Sequence, residues 1–97
     1  MTVNRVLRLV SDQSGYPVEA FIEPNRSKPL SHWRQLAYWI AFTFSTETVA
    51  HLGTQFHRDR KTVWYGIDRM EKLIKTDPVW FKRKEEAAKL IAAARMQ

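Results

Sequence analysis

The chain has 97 residues, 44% of them hydrophobic, and carries 16 lysines and arginines against 10 acidic residues for a net charge of +6. That length and apolar content fit one small core and exclude a disordered tail, while the absence of cysteine excludes disulfides, thiol catalysis and cysteine-ligated zinc. The basic excess points to a polyanionic partner, a nucleic acid or an anionic membrane surface, and it is concentrated: residues 26–75 hold nine basic against four acidic side chains, residues 1–25 two against three.

In chain order, Val3, Val6, Leu7 and Val10 predict a first helix that stops near "SDQSGYP", at Gly15 and Pro17. "VEAFI" reads as a short second helix closed by Pro24, and "PNRSKPLS" as a basic loop or arm over about 24–30. Ser31 is placed to cap a third helix, "HWRQLAYWIAFTF", apolar on nearly every side and therefore expected to be the buried central rod. Thr48 reads as the N-cap of a short helix, "VAHLGTQF". After a turn at "HRD", the Asp59 carboxylate is expected to cap a fifth helix whose apolar face is Val63, Ile67, Met70 and Ile74. Pro78, at a first helical position, restarts a sixth helix over about 78–96. The expected fold is all-α, one domain over residues 1–97 with about six helices around a helix-turn-helix at about 48–75.

The first turn of the fifth helix carries Arg60, Lys61 and Thr62, side chains that a core does not use. A short helix, a tight turn and a longer helix with a basic start is the helix-turn-helix pattern, in which the front of the second helix meets base edges in the major groove.

The residues that carry this pattern also carry a resemblance. "RDRKTVWYGIDRME" keeps Arg58, Asp59, Thr62, Val63, Arg69 and Glu71 of a signature that runs Gly-Gly-Arg-Asp-His-(Ser/Thr)-Thr-Val and continues as a helix. "RQLAYWIAF", from Arg34, is similar to an Arg-Gln-(Ile/Met)-Ala-Met helix at the same distance upstream, and "VLRLVSDQSGYPVEAFIEPNRSK" is similar to an entry helix, a second helical turn and a basic loop. Together these resemble the C-terminal DNA-binding domain of the bacterial replication initiator DnaA, over roughly residues 3–80. The resemblance implies that Asp59, Arg60, Lys61 and Thr62 read the major groove. It further implies that Arg26, with Lys28 in the same loop, enters the adjacent minor groove, and that Arg58 and Arg69 lie at the backbone or the groove edge. Tyr65, at a helix position on the exposed side, is expected either to contact DNA or to pack half-buried. The chemistry agrees: a loop arginine suits a narrow minor groove, a carboxylate accepts from cytosine N4, and arginine or lysine pairs with guanine O6 and N7.

Departures from the signature matter equally. His57 alone stands where the family has Gly-Gly, so the turn is one residue shorter; Arg60 and Lys61 replace His and Ser/Thr, and Tyr65 and Asp68 replace other family residues. Those changes shift the preference toward guanine or phosphate. No G-x-x-x-x-G-K-(S/T) phosphate loop occurs, so the chain is expected to bind DNA without ATPase activity or a cofactor, as a free-standing relative or a fragment. The four tryptophans are expected in the core. His32, His51 and His57 lack metal-ligand spacing, no Ser/His/Asp set is identifiable, and "KRKEEAAK" reads as a solvated helix with i,i+4 charge pairs.

Two functional readings follow. The first is sequence-preferring binding of double-stranded DNA in the regulation of replication initiation or transcription, in the cytoplasm at the nucleoid and without a membrane. The second is an adaptor that keeps the fold and binds the replication initiator or another replication protein, motivated by the rewritten Arg60–Lys61 pair and the shortened turn.

Overall fold

A computed structural model of the chain describes residues 2–24 and 27–95. Among these the architecture is all-helical: α1 (Val3–Ser14), a 3-10 helix (Val18–Phe21), α2 (Leu30–Phe44), α3 (Val49–Gln55), α4 (Arg60–Thr76) and α5 (Pro78–Arg95). Helix α1 forms where the apolar spacing predicts it. The Thr2 side chain accepts from the Arg5 N–H, and Gly15, at φ 84°, closes the helix with its N–H on the Ser11 carbonyl.

The predicted short second helix is present, as a 3-10 helix. Bonds over three residues define it, Ala20 N–H to Pro17 O at 3.0 Å and Ile22 N–H to Glu19 O at 3.1 Å, and the Glu23 N–H also reaches Glu19 O at 3.1 Å. Four residues between Pro17 and the next turn are too few to offset helix nucleation. The carbonyls the turn leaves open are taken instead by the Arg34 guanidinium, which donates to Ala20 O and Phe21 O at 3.0 Å and to Glu23 O at 3.2 Å.

Helix α2 is the central rod. Trp33, Leu36, Ala37, Tyr38, Ile40 and Ala41 are buried, and α1, α3 and α4 all pack on it. Its start differs from expectation: Pro29 holds the N-cap position and Ser31 lies inside the first turn, its N–H bonded to Ser27 O. Proline at the cap leaves no side-chain acceptor, so the upstream carbonyls of Ser27 and Pro29 satisfy the ladder in the loop's own turn.

The remaining helices cover the rod. Val3, Val6, Leu7 and Val10 of α1, Leu52 of α3, the following Phe56, and Val63, Ile67 and Met70 of α4 close one core, with Phe56 edge-on to Tyr38 at 4.7 Å. Helix α5 adds Trp80, Ala87 and Ile91. Trp80 meets Trp33 at 5.1 Å, and the Arg83 guanidinium lies 4.6 Å from both indoles, a cation–π contact that keeps the charge while covering the apolar seam. Asp77 ends α4 with its N–H on Leu73 O and starts α5 by accepting the Val79 N–H at 2.9 Å, with Pro78 at the first position. Within the "KRKEEAAK" run Lys84 pairs with Glu85, its neighbour, and not with a residue at i,i+4 spacing.

One tryptophan leaves the expected set. Trp33 and Trp80 are buried and Trp39 packs partly against the core, but Trp64 is 53% exposed. On α4 it stands one residue, about 100°, from buried Val63, which carries it past the edge of the covered arc.

Candidate nucleic-acid interface

The corner between α3 and α4 is built by the backbone. Thr48 caps α3 as expected, its hydroxyl accepting the His51 N–H at 3.1 Å. At the other end, Phe56 is the C-cap and His57 adopts φ 54°, a left-handed conformation. The His57 N–H reaches Thr54 O at 3.3 Å and the Arg58 N–H reaches Gly53 O at 2.8 Å. That pair of bonds is the Schellman closure, in which glycine is the usual left-handed residue. His57 therefore holds the left-handed position that glycine usually takes, at the cost a side chain incurs there.

Gly53 lets the corner close. A Cβ on it would lie 2.6 Å from the Arg58 carbonyl oxygen and 3.3 Å from the Arg60 nitrogen. Arg58 locks it further: its Nη1 donates to Ile22 O at 2.9 Å, Phe56 O at 3.0 Å and His57 O at 3.2 Å, and its Nη2 donates to Glu23 O. A planar fork suits this gathering of carbonyls. Arg58 thus ties the turn to Ile22 and Glu23, just past the 3-10 helix and 35 to 36 residues upstream.

Beyond the corner the chain presents side chains to solvent. Asp59 is the N-cap of α4, but its carboxylate makes no capping bond; the Asp59 carbonyl accepts the Val63 N–H at 3.2 Å instead. The expected carboxylate cap is therefore absent, although Asp59 keeps the extended backbone of an N-cap, at φ −63° and ψ 144°. Asp59, Arg60, Lys61 and Thr62 are all exposed, Tyr65 is 69% exposed, and Arg69 is exposed two turns beyond Thr62 on the same side. Asp68, farther round, pairs with Lys72 at 3.0 Å. Lys28 is exposed in the loop before α2. Arg26 lies outside the described residues.

Two depressions flank the front of α4. One, of about 350 Å³, is lined by Ser31, Arg34, Gln35, Tyr38, Arg58 and Thr62. Burial pushes the Tyr38 hydroxyl's pKa up, while Arg34 and Arg58 oppose that rise; burial and the nearby Arg58 charge lower that of Arg34. No carboxylate lines this depression, so it is a positive floor beside Thr62. The other, of about 330 Å³, is lined by Val49, Arg60, Lys61, Trp64 and Tyr65. The structure thus brings Asp59 to Thr62, Tyr65 and Arg69 onto one helix, with Arg58 beneath them.

Sequence reasoning overlooks Arg34, Tyr38 and Trp64 as parts of this surround. An arginine in the middle of the apolar run "HWRQLAYWIAF" is the signal that a charge inside the rod must meet carbonyls from elsewhere.

Residues 3–70 match the family described as the bacterial dnaA protein helix-turn-helix. The chain is similar to the chromosomal replication initiator protein DnaA of Ruegeria pomeroyi, 31% identical over 78 residues, which are 79% of this chain and 17% of that protein. It is also similar to the DnaA proteins of a Caulobacter species, 28% identical over 81% of this chain and 16% of the relative, and of Acinetobacter baylyi, 27% identical over 82% and 17%. The chain spans about a sixth of the length of these relatives.

Proposed function

The chain belongs to the bacterial DnaA helix-turn-helix family, and from that premise we propose that it binds double-stranded DNA with a sequence preference, in the regulation of replication initiation or transcription. The reading treats residues 1–97 as one domain, working without nucleotide hydrolysis, in the cytoplasm at the nucleoid. The observation that carries it is the run Asp59–Thr62, exposed at the front of α4 on a corner held rigid by Gly53, the Schellman closure and Arg58. A stiff backbone with solvated cations at its tip matches what groove reading needs, since contacts lose less entropy when their support is already ordered.

Roles follow from chemistry and position. Arg60 and Lys61 pair with guanine edges or phosphate, Asp59 accepts from cytosine N4, and Thr62 with the depression beside it meets the backbone. Lys28, and Arg26 in the same loop, reach the minor groove, Tyr65 contacts a sugar or methyl edge, and Arg69 meets phosphate farther along the helix. Arg58 acts through position, because its guanidinium holds the turn. An anisotropy titration against a random duplex pool, followed by sequencing of retained DNA, tests the reading. Lys61→Ala and Arg60→Ala are each expected to weaken binding and to reduce the salt slope by about 1. No binding to any duplex at low salt would end it.

A further inference from the structure

We propose that the depression between α3 and α4 is a docking groove for an acidic segment of a partner protein, anchored by a large apolar side chain. Its floor is aromatic and its rim is basic. Trp64 is 53% exposed, Tyr65 69% and, on the adjoining end of α2, Phe42 40%. Phe42 meets Trp64 edge to face at 6.4 Å, which holds the indole's orientation and leaves half its surface open. Val49 of α3 and the stems of Arg60 and Lys61 close the sides.

Three considerations select the occupant. Clustered exposed rings are unusual on a soluble surface and mark interaction sites. Tryptophan, tyrosine and arginine together are the composition of protein-interface hot spots, whereas duplex-binding surfaces are more polar and offer an indole only sugar and methyl edges. The rim supplies the sign of the partner. Arg60 and Lys61 have no ion pair among the described residues, while nearby Glu47 is engaged by His51 and Asp68 by Lys72. Aspartates or glutamates flanking a leucine, phenylalanine or tryptophan complement this pattern. Arg60, Lys61 and Tyr65 also belong to the proposed duplex-reading edge, so the acidic segment and DNA compete. Only that competition rests on the duplex reading; the groove itself does not.

The test is selection of a phage-displayed random peptide library on the intact chain, with nucleic acid removed, followed by anisotropy with the synthesised winners. Enriched peptides are expected to place acidic residues beside a large apolar one. Trp64→Ala, and separately the charge reversal of Arg60 and Lys61 to Glu, are expected to weaken them at least about tenfold, with unchanged helical circular dichroism because all three side chains are exposed. No enrichment, enrichment of basic or uncharged peptides, or indifference to Trp64→Ala overturns the proposal. So does an unenriched library together with Trp64→Ala weakening duplex binding as much as Lys61→Ala, which assigns the rings to DNA. Adding duplex to the peptide complex tests the overlap separately: displacement supports a shared edge, and a peptide retained at saturating duplex refutes competition while leaving the groove in place.

Discussion

Gly53→Ala probes the corner most directly. Helix propensity favours the change by up to about 1 kcal/mol, so a loosely packed corner would be stabilised. Against that, the new methyl would sit 2.6 Å from the Arg58 carbonyl oxygen and 3.3 Å from the Arg60 nitrogen. Both are backbone atoms, and neither can swing aside as a side chain does. Relief requires moving the turn, which stretches the 2.8 Å bond from the Arg58 N–H to Gly53 O, a loss of about 1 kcal/mol. Overpacking adds about 1–3 kcal/mol. The net is a destabilisation of about 1–3 kcal/mol, which lowers Tm by about 4–8 °C per kcal/mol in a chain of this size. Because the displaced atoms lead directly into Arg60, duplex affinity should fall beyond what the unfolded fraction accounts for. Gly15→Ala is the control. It meets nothing within 4 Å but stands at φ 84°, so it should lower Tm through backbone strain and leave affinity per folded molecule intact. A Gly53→Ala protein with raised Tm and unchanged affinity refutes the close approach of α3 to the turn.

Arg34→Met keeps the bulk but strips the donors from the carbonyls of Ala20, Phe21 and Glu23; urea unfolding should show a loss of about 3 kcal/mol. Arg58→Lys cannot fork across four carbonyls, and after discounting for partial exposure it should cost about 1–2 kcal/mol. It should weaken duplex binding with the salt slope unchanged, whereas a lost phosphate contact would flatten the slope. The pKa of His32 is lowered, first by burial and then by Lys28 and Arg69, with Asp77 opposing. The unfolded chain therefore takes up the proton first, and the stability present above the ordinary imidazole range is lost as pH falls through the lower folded value. Wild type should lose more stability than His32→Gln between about pH 7.5 and about pH 5 in urea titrations, and parallel losses would contradict this.

Much of the fold is legible in the residues because helix faces obey a simple period. Val63, Ile67 and Met70 are buried as their spacing requires, and Thr48 and Pro78 hold the helix positions their chemistry favours. Periodicity is weaker at the edge of a face. Trp64 reads as core by composition, yet its exposure depends on how far α3 and α2 reach around α4, which is a tertiary fact. The type of a short element is hidden for another reason: "VEAFI" reads as a helical turn, but its geometry depends on an arginine 11 to 14 residues later taking its carbonyls. The family signature leads to Arg58 through sequence, while the work of its guanidinium depends on Ile22 and Glu23, far upstream. In each case local chemistry is readable and its distant partner is not.

Arg34 and Arg58 converge on one atom, the Glu23 carbonyl oxygen, and this gives the arm a fixed origin. One guanidinium is seated in α2 and the other in the turn before α4, so the segment entering the basic loop is bonded to both. The loop's far end is fixed as well, because Leu30 is buried at the start of α2. On the proposed duplex reading, a loop tied at Glu23 and at Leu30 would hold Lys28 close to the duplex once α4 is docked. Neither arginine needs to touch DNA for this to hold. Their positive charge lies under the candidate interface uncompensated by any lining carboxylate, and there it would favour a phosphate close to Thr62. The same two side chains thus fix the chain at Glu23 and supply part of the field around Thr62.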